Sequence, residues 1–331
     1  MPEPSADSTY PSVAILTVNT DGGDFIGEFA KSIARITYPN YRLIVVDNAS
    51  SDDSLQILEG LDTGAMIIRN DTNLGFTGGC NRGFEYCLDH SFDYVLLLNG
   101  DVIVEPDFLN HLVAAADART MTAPKSYLYH QPGRLDDSVG QFDWTRGVWK
   151  RRILGKPPSP EFDRARAVDS ANLSCLLVPA GLLRDVGLLD DNFFIYYDDT
   201  DFVKRARDKG YRLWFAPEAV IYHRKGATIG GSRTPFGLYY LTRNRPYLIR
   251  KHIRSPLRRA LFWAYYLGSR LTRLIVLLAR GRPDLARAML RGLTDYWRGR
   301  MGKTVERDEW PTKSATADAG LEMVNHPPAK T

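Results

Sequence analysis

Cysteine is scarce in this sequence: three in 331 residues, Cys80, Cys87 and Cys175, with no CxxC spacing. An odd, unpaired set excludes a disulfide-stapled scaffold and a zinc knuckle, and fits a reducing compartment. There is no GxGxxG fingerprint and no P-loop, so neither a dinucleotide fold nor a Walker-type phosphate cradle is signalled. The opening stretch, Met1–Ser12, is rich in proline, serine and acids and has no apolar core. Residues 1–11 are expected to be disordered, no secretory signal is legible there, and the chain is expected to stay in the cytoplasm. At 44% hydrophobic and 25% charged, the composition is not that of a disordered or collagen-like chain. The length allows an extensive buried sheet with an appendage.

The formal charge of +4 conceals a strong asymmetry. Between Arg250 and Lys303 there are 14 Lys or Arg against two acids, Asp284 and Asp295, which leaves the remainder of the chain at −8. So local a basic excess points to an anionic surface such as a membrane leaflet, not to general nucleic-acid affinity. Ala260–Ala279 is about as long as a bilayer span. It carries Arg270 and Arg273, which argues against simple crossing. On a helical wheel Arg259, Arg270, Arg273 and Arg280 share one face, with Ala264, Leu267, Leu271, Leu274, Ile275 and Leu278 opposite. The expectation is a helix lying in the headgroup region, arginines toward phosphates and Trp263 and Tyr266 at the interface. A helix packed on the protein with a solvated basic face is the alternative. Residues 236–303 form this extension, and 304–331 are expected to be a disordered tail.

The first two-thirds alternates strand and helix signals, the pattern of a mainly parallel sheet wound with helices. Ser12–Val18, Tyr41–Val46, Ala65–Arg69 and Tyr94–Leu98 read as strands. Asp24–Ile36, Ser51–Leu61 and about Asn81–Leu88 read as helices. Ligands of open α/β sheets bind beyond the carboxyl ends of the strands, and polar clusters gather there. Asp47 ends one strand; it could meet a ligand or cap the next helix. Asn73–Gly83 puts four glycines and two asparagines in eleven residues, either a backbone that approaches a ligand closely or a flexible turn. Asn99-Gly100-Asp101 offers oxygen to a hard divalent cation, with His223 as a plausible imidazole partner or a structural residue. Asp198-Asp199-Thr200-Asp201 follows the aromatic run Phe193–Tyr197. Apolar surroundings raise a carboxylate pKa and suit it to general-base work, although acids also favour the first turn of a helix.

Taken in order, VDNASSD, NLGFTGGCNRG, LLLNGD, FFIYYDDTDF and a late YH resemble family 2 glycosyltransferases of the GT-A fold, in particular the bacterial rhamnosyltransferase-like branch. The resemblance spans roughly Val13–Gly226. It implies an inverting, metal-dependent hexosyltransferase of cell-envelope polysaccharide biosynthesis, on the inner face of the cell membrane. Donor nucleotide contacts would fall to Thr17, Asn19, Asp47, Asn73, Gly75, Asn81, Asn99 and Gly100. Asp101 and His223 would hold Mg²⁺ or Mn²⁺, with Asn99 standing where relatives often have an aspartate. Asp199 matches the catalytic base, with Asp198 in reserve. Trp144, Tyr196, Tyr197 and Arg243 would meet the acceptor, a glycan or a lipid-diphosphate-linked sugar. The donor would be a dTDP-rhamnose-like or UDP sugar. Two rival readings remain at this point, a sugar-phosphate nucleotidyltransferase and a catalytically silent nucleotide-sugar-binding protein. The GT-A domain is expected over residues 12–235.

Overall fold

The computed structural model describes residues 9–61, 63–150, 153–224, 231–307 and 309–310. Residues 1–8 and 311–331, which hold most of the two terminal segments expected to be disordered, lie outside that set. Contacts divide the chain into two compact units: Met1–Phe142 with Trp149–Lys225, and Asp143–Val148 with Gly226–Thr331. The first unit therefore ends near 225 rather than 235, and it lends a short loop to the second.

In chain order the first unit contains β1 (Val13–Asn19), α1 (Gly23–Ile33), β2 (Tyr41–Asp47), α2 (Ser54–Gly60), β3 (Met66–Arg69), α3 (Gly75–Asp89), β4 (Tyr94–Leu98), β5 (Val102–Val104), α4 (Phe108–Ala114) and β6 (Thr120–Leu128). There follow β7 (Val139–Asp143), β8 (Val148–Lys150), β9 (Arg166–Ala167), β10 (Ser170–Ala171), β11 (Cys175–Pro179), α5 (Ala180–Val186), α6 (Asp198–Asp208) and β12 (Arg212–His223). The main sheet runs β3-β2-β1-β4-β11-β6-β12-β5, with β9 paired to β12, and a small sheet runs β10-β7-β8. β1 pairs in parallel with β2 and β4. β11 is antiparallel to both β4 and β6, while β12 runs parallel to β6. It follows that β1, β2, β4 and β12 all end at the same sheet edge.

Both faces of the sheet are covered, which is why its central strands read as unbroken apolar runs. Ile26, Phe29, Phe108 and Leu112 from α1 and α4 pack with Ile15, Val45 and Leu96 on one face. Cys80, Phe84, Leu182 and Phe202 from α3, α5 and α6 pack with Leu16, Val46 and Leu97 on the other. The glycine-rich segment is not a turn before a helix at Asn81, because α3 already begins at Gly75. Its glycines bring helix and sheet together: a Cβ at Gly83 would sit 2.2 Å from Leu16 Cδ1. At the amino end, Tyr10 O accepts from Asn40 and Pro11 O from the Tyr38 hydroxyl, so order begins before residue 12.

The second unit is helical: α7 (Pro235–His252), α8 (Pro256–Ala279) and α9 (Pro283–Trp297). Leu238, Leu277, Leu285 and Met289 form one core cluster, and Ile249, Ile253, Phe262 and Tyr266 another. The segment expected to open a disordered tail at 304 is packed: Val305 is buried and Thr304 Oγ1 meets both Tyr239 and Arg243. The expected orientation of α8 is reversed. Arg270 and Arg273 face inward and are buried, and Tyr266, expected at an interface, is fully enclosed with its hydroxyl donating to Thr242 O at 2.6 Å. Leu257, Leu261, Leu267, Leu271 and Leu278 face out, while Leu277 is buried with the arginines. Aromatic faces and carbonyls inside the unit explain the inversion: the Arg270 guanidinium lies 5.3 Å from the Tyr266 ring centroid and Arg273 donates to Ser232 O.

Candidate active site

Parallel register sets the floor of the site by pairing Asn19 with Asp47 at the ends of β1 and β2. Asn19 Nδ2 donates to Asp47 Oδ1 at 3.0 Å and lies within bonding distance of the Ser50 and Ser54 hydroxyls. The other Asp47 oxygen accepts from Ser50 N, so this carboxylate is fixed and only 3% exposed. Ser50 and Ser51 bond to the Asn19–Asp21 loop instead of capping a helix, since α2 starts at Ser54. Three buried oxygens at this end have no protein partner: Thr17 Oγ1, Asn19 Oδ1 and Thr77 Oγ1. Buried polar atoms are ordinarily satisfied, so such a cluster where α/β sheets bind ligands marks a polar ligand site.

Asn48 and Asn73 shape the start of α3. Asn48 Nδ2 donates to Gly75 O at 2.8 Å while its Oδ1 accepts from Asn70 Nδ2, and Asn73 Oδ1 accepts from Gly75 N. Gly75 has φ +75°, and a Cβ there would lie 2.4 Å from the Phe194 ring and 2.6 Å from Phe194 O. Phe194 O in turn accepts from Thr77 N. The aromatic loop ahead of α6 is thus clamped onto the first turn of α3. Asn81 serves the same clamp and is turned away from a nucleotide role: its amide donates to Leu189 O and Asp191 Oδ1 and accepts from Leu189 N.

Five of the six non-glycine residues with positive φ among the described residues lie in the loops around this edge: Asp21, Ala49, Phe194, Tyr196 and Tyr197. Left-handed backbone costs such residues about 1–2 kcal/mol each. Strain of this kind clusters where ligands are held. Here it aims the half-buried Tyr196 and Tyr197 and delivers α6 with Asp198 as its first residue.

The three acids of α6 have separate fates. Asp201 is fully buried and paired with Arg205 at 2.8 Å, a helix-start role. Asp198 is buried, and burial followed by the neighbouring charge of Asp199 pushes its carboxyl well above the usual range. Asp199 remains partly exposed. Burial raises its pKa to about 6, against the restraint of the Thr200 N–H and hydroxyl, which both bond Oδ1. Burial and mutual repulsion thus favour the neutral form of Asp198 more strongly than that of Asp199, the divergence expected of adjacent carboxylates in an apolar setting.

At the far side of the edge, Asn99 N donates to Ser174 O, Gly100 is buried, and Asp101 is 7% exposed. His223 closes β12 with Nε2 3.5 Å from Asp101 Oδ1 and Nδ1 2.8 Å from Asp136 Oδ2. Burial alone would lower the imidazole pKa, but hydrogen bonds and charge from Asp101 and Asp136 raise it to about 9. Among the described residues no group of three or more His, Cys, Asp or Glu could hold a metal ion. Asp101 and His223 still suit a cation completed by phosphate oxygens and water, because magnesium sites commonly take one or two carboxylates plus substrate. A carboxylate on the far ring nitrogen is the usual orienter of a metal-binding histidine. Asp136 was not anticipated from the sequence. It sits in an irregular segment, and only the arrival of β12 gives it a role. Asn48 follows Asp47 in the VDNASSD motif, and no local pattern marks its role at the start of α3.

Two expected acceptor residues fall in the second unit. Trp144 packs edge-on to His252. Arg243 is fully buried, bonded to Asn244 Oδ1, Gly302 O and Thr304 Oγ1, and so braces the helices rather than facing an acceptor. Trp149, in the first unit, donates to Thr200 Oγ1 beside Asp199.

A mixed, mostly parallel sheet with helices on both faces, and a polar site on its carboxyl edge, define a GT-A glycosyltransferase fold. The family model described as glycosyl transferase family 2 matches residues 12–167. A low-salt glycan biosynthesis hexosyltransferase, Agl10 of Haloferax volcanii, is 24% identical over 235 residues, 70% of this chain and 74% of that one. An N-acetylglucosaminyl-diphospho-decaprenol L-rhamnosyltransferase of Mycobacterium tuberculosis is 22% identical over 240 residues, 65% of this chain and 77% of that one. Among solved structures, a Pyrobaculum calidifontis mannosyltransferase in complex with GDP-Man and Mn²⁺ matches with TM-score 0.52 at 14% identity over 89% of both chains. GalNAc-T7 with UDP, GalNAc and Mn²⁺ matches with TM-score 0.54 at 16% identity over 66% of this chain, which spans only 44% of that enzyme. The chain is thus similar to family 2 glycosyltransferases, through the family model over residues 12–167 and through these relatives over 65–70% of its length.

Proposed function

We propose that the protein is an inverting glycosyltransferase that moves a sugar from a nucleotide-diphosphate donor to a hydroxyl of a glycan or lipid-linked acceptor. A dTDP-rhamnose-like or UDP sugar is the donor, and cell-envelope polysaccharide the product class. The reaction belongs at an anionic membrane surface on the cytoplasmic side, in keeping with the basic charge of residues 250–303. The observation that carries the reading is the acidic pair at the head of α6: Asp198 is buried with its carboxyl pushed well above the usual range, and Asp199 beside it is partly exposed with a pKa raised to about 6.

Asp199 takes the proton of the acceptor hydroxyl as that oxygen bonds to the anomeric carbon. The bond from that carbon to the donor phosphate oxygen breaks, and the electron pair leaves with the nucleoside diphosphate. Attack from the side opposite the leaving group inverts the configuration, without a covalent intermediate. Thr17, Asn19 and Asp47 bind the nucleotide portion, and Tyr196 and Tyr197 present aromatic surface to the acceptor sugar. Asp101 and His223 would hold Mg²⁺ or Mn²⁺, which when bound neutralises charge on the departing diphosphate.

A panel of nucleotide sugars, each tested with Mg²⁺ or Mn²⁺ for nucleoside diphosphate release and for protection against thermal unfolding, identifies the donor. NMR of the product then gives the anomeric configuration. Release of pyrophosphate from a nucleoside triphosphate, or no response to any nucleotide sugar, would refute the reading.

A further inference from the structure

The second unit carries an apolar surface that the chemistry above does not use. Leu257, Leu261, Leu267, Leu271, Ile275 and Leu278 line one face of α8, with exposed Ala264 between the second and third, and each of the six is between 47% and 69% exposed. The stripe is about 30 Å long at 1.5 Å per residue. Leu290 and Trp297 of α9 extend it, at 46% and 65% exposed, and Trp297 stacks on Trp263 at 5.0 Å. A groove of about 380 Å³ opens in it, lined almost wholly by apolar atoms, among them Leu267, Leu271, Leu274, Met289, Leu290 and Leu293. Soluble proteins rarely leave a contiguous apolar patch of this extent uncovered.

We propose that this face docks on an anionic phospholipid bilayer, with α8 in the plane of the membrane and one lipid acyl chain in the α8–α9 groove. Charge selects the occupant. Arg258 on α8, Arg287 on α9, and Arg254 and Arg280 in the loops flanking α8 are exposed, whereas the two acids of residues 250–303 are engaged: Asp284 with Arg282, and buried Asp295 with Tyr239. Neutralising an anionic leaflet needs this excess; a second copy of so basic a face would be repelled. Although α8 is long and apolar enough to cross a bilayer, it does not cross. Its inner face is packed on the unit through Phe262, Tyr266, Arg270, Arg273 and Leu277, so only the outer stripe is free for lipid. Such one-sided burial is the mark of an interfacial helix. Trp297 beside the stripe suits the headgroup level.

The inference deepens the membrane placement proposed above and is independent of the sugar chemistry, which nucleotide-sugar hydrolysis in lipid-free solution reads separately. Full-length protein is co-sedimented with vesicles of phosphatidylcholine alone or mixed with phosphatidylglycerol. Binding is expected only to the mixed vesicles, and Leu271→Glu with Ile275→Glu should weaken it at least about tenfold while leaving thermal unfolding unchanged, because both side chains are 60% exposed. Gly268 lines the groove, and a Cβ there meets open space. Gly268→Leu should fill it, weaken vesicle binding several-fold, and reduce tryptophan quenching by lipids brominated on the acyl chain. Equal sedimentation of wild type and the double glutamate variant would overturn the docking face. So would absence of binding together with a concentration-dependent dimer that the glutamates abolish. Unchanged binding and quenching in Gly268→Leu would overturn the acyl-chain groove.

Discussion

Replacing Asp199 with asparagine tests the assignment of the base. The substitution keeps size and hydrogen bonding to Thr200 while removing the only member of the acidic pair that is both ionised at neutral pH and partly exposed. General-base catalysis contributes about 10²- to 10⁴-fold, so the rate of transfer should fall by that factor, equivalent to about 3–5 kcal/mol of transition-state stabilisation. With Asp199 as the proposed base the ionised form is the active one, and a pKa of about 6 should make the rate half-maximal near pH 6. One unit lower it should fall to about a tenth of the plateau. The stability change runs in the other direction. Because the folded-state pKa lies above the ordinary carboxylate value, the fold prefers the protonated form. Wild-type stability therefore declines as pH rises from about 4 through about 6, and Asp199→Asn removes that decline. Lost activity with equal or greater stability above pH 6 separates chemistry from unfolding. Asp198→Asn, which makes permanent the neutral form that burial favours, should retain the rate within about tenfold. Initial-rate assays of nucleoside diphosphate release across pH 5–8 give the rates and the acid limb, and urea melts across pH 4–8 give the stability change. Undiminished turnover in Asp199→Asn, or an acid limb near pH 6 that survives the substitution, would refute the assignment.

Gly75→Ala forces a left-handed alanine into the Phe194 ring and carbonyl, and should destabilise the first unit by about 2 kcal/mol or more in urea melts; an unchanged midpoint would show that the clamp gives way. Asn81→Ala leaves Leu189 N–H and C=O without their partner, at a cost of about 1–3 kcal/mol, and should slow transfer by loosening the loop that carries Tyr196 and Tyr197. Asp136→Asn withdraws the charged orienter of His223 and should weaken divalent-cation affinity about 10- to 100-fold in metal titrations of activity, with the rate at saturating metal little changed. The same metal dependence in that variant and wild type would remove His223 from the cation site.

Much of this architecture is written locally. Val13–Val18, Tyr41–Val46 and Tyr94–Leu98 declare buried strands because both faces of the sheet are covered, and Asp47 and Asn99–Asp101 are legible as edge residues because they are the first polar side chains after those runs. The acidic pair at 198–199 stands out for the same reason, after five consecutive large residues. Other features come from parts of the chain that sequence order keeps apart. Asp136 meets His223 across 87 residues, and Asn81 reaches Leu189 across 108, with no local pattern to announce either. The start of α3 was obscured because glycine reads as a turn, whereas here its missing side chain lets a helix lie against β1 and β2. Helix α8 shows the limit most plainly. Its spacing sorts arginines from leucines, but which face turns inward depends on what the neighbouring helices supply. Carbonyls and aromatic rings inside the second unit accept Arg270 and Arg273, so the stripe of Leu267, Leu271, Ile275 and Leu278 lies outside.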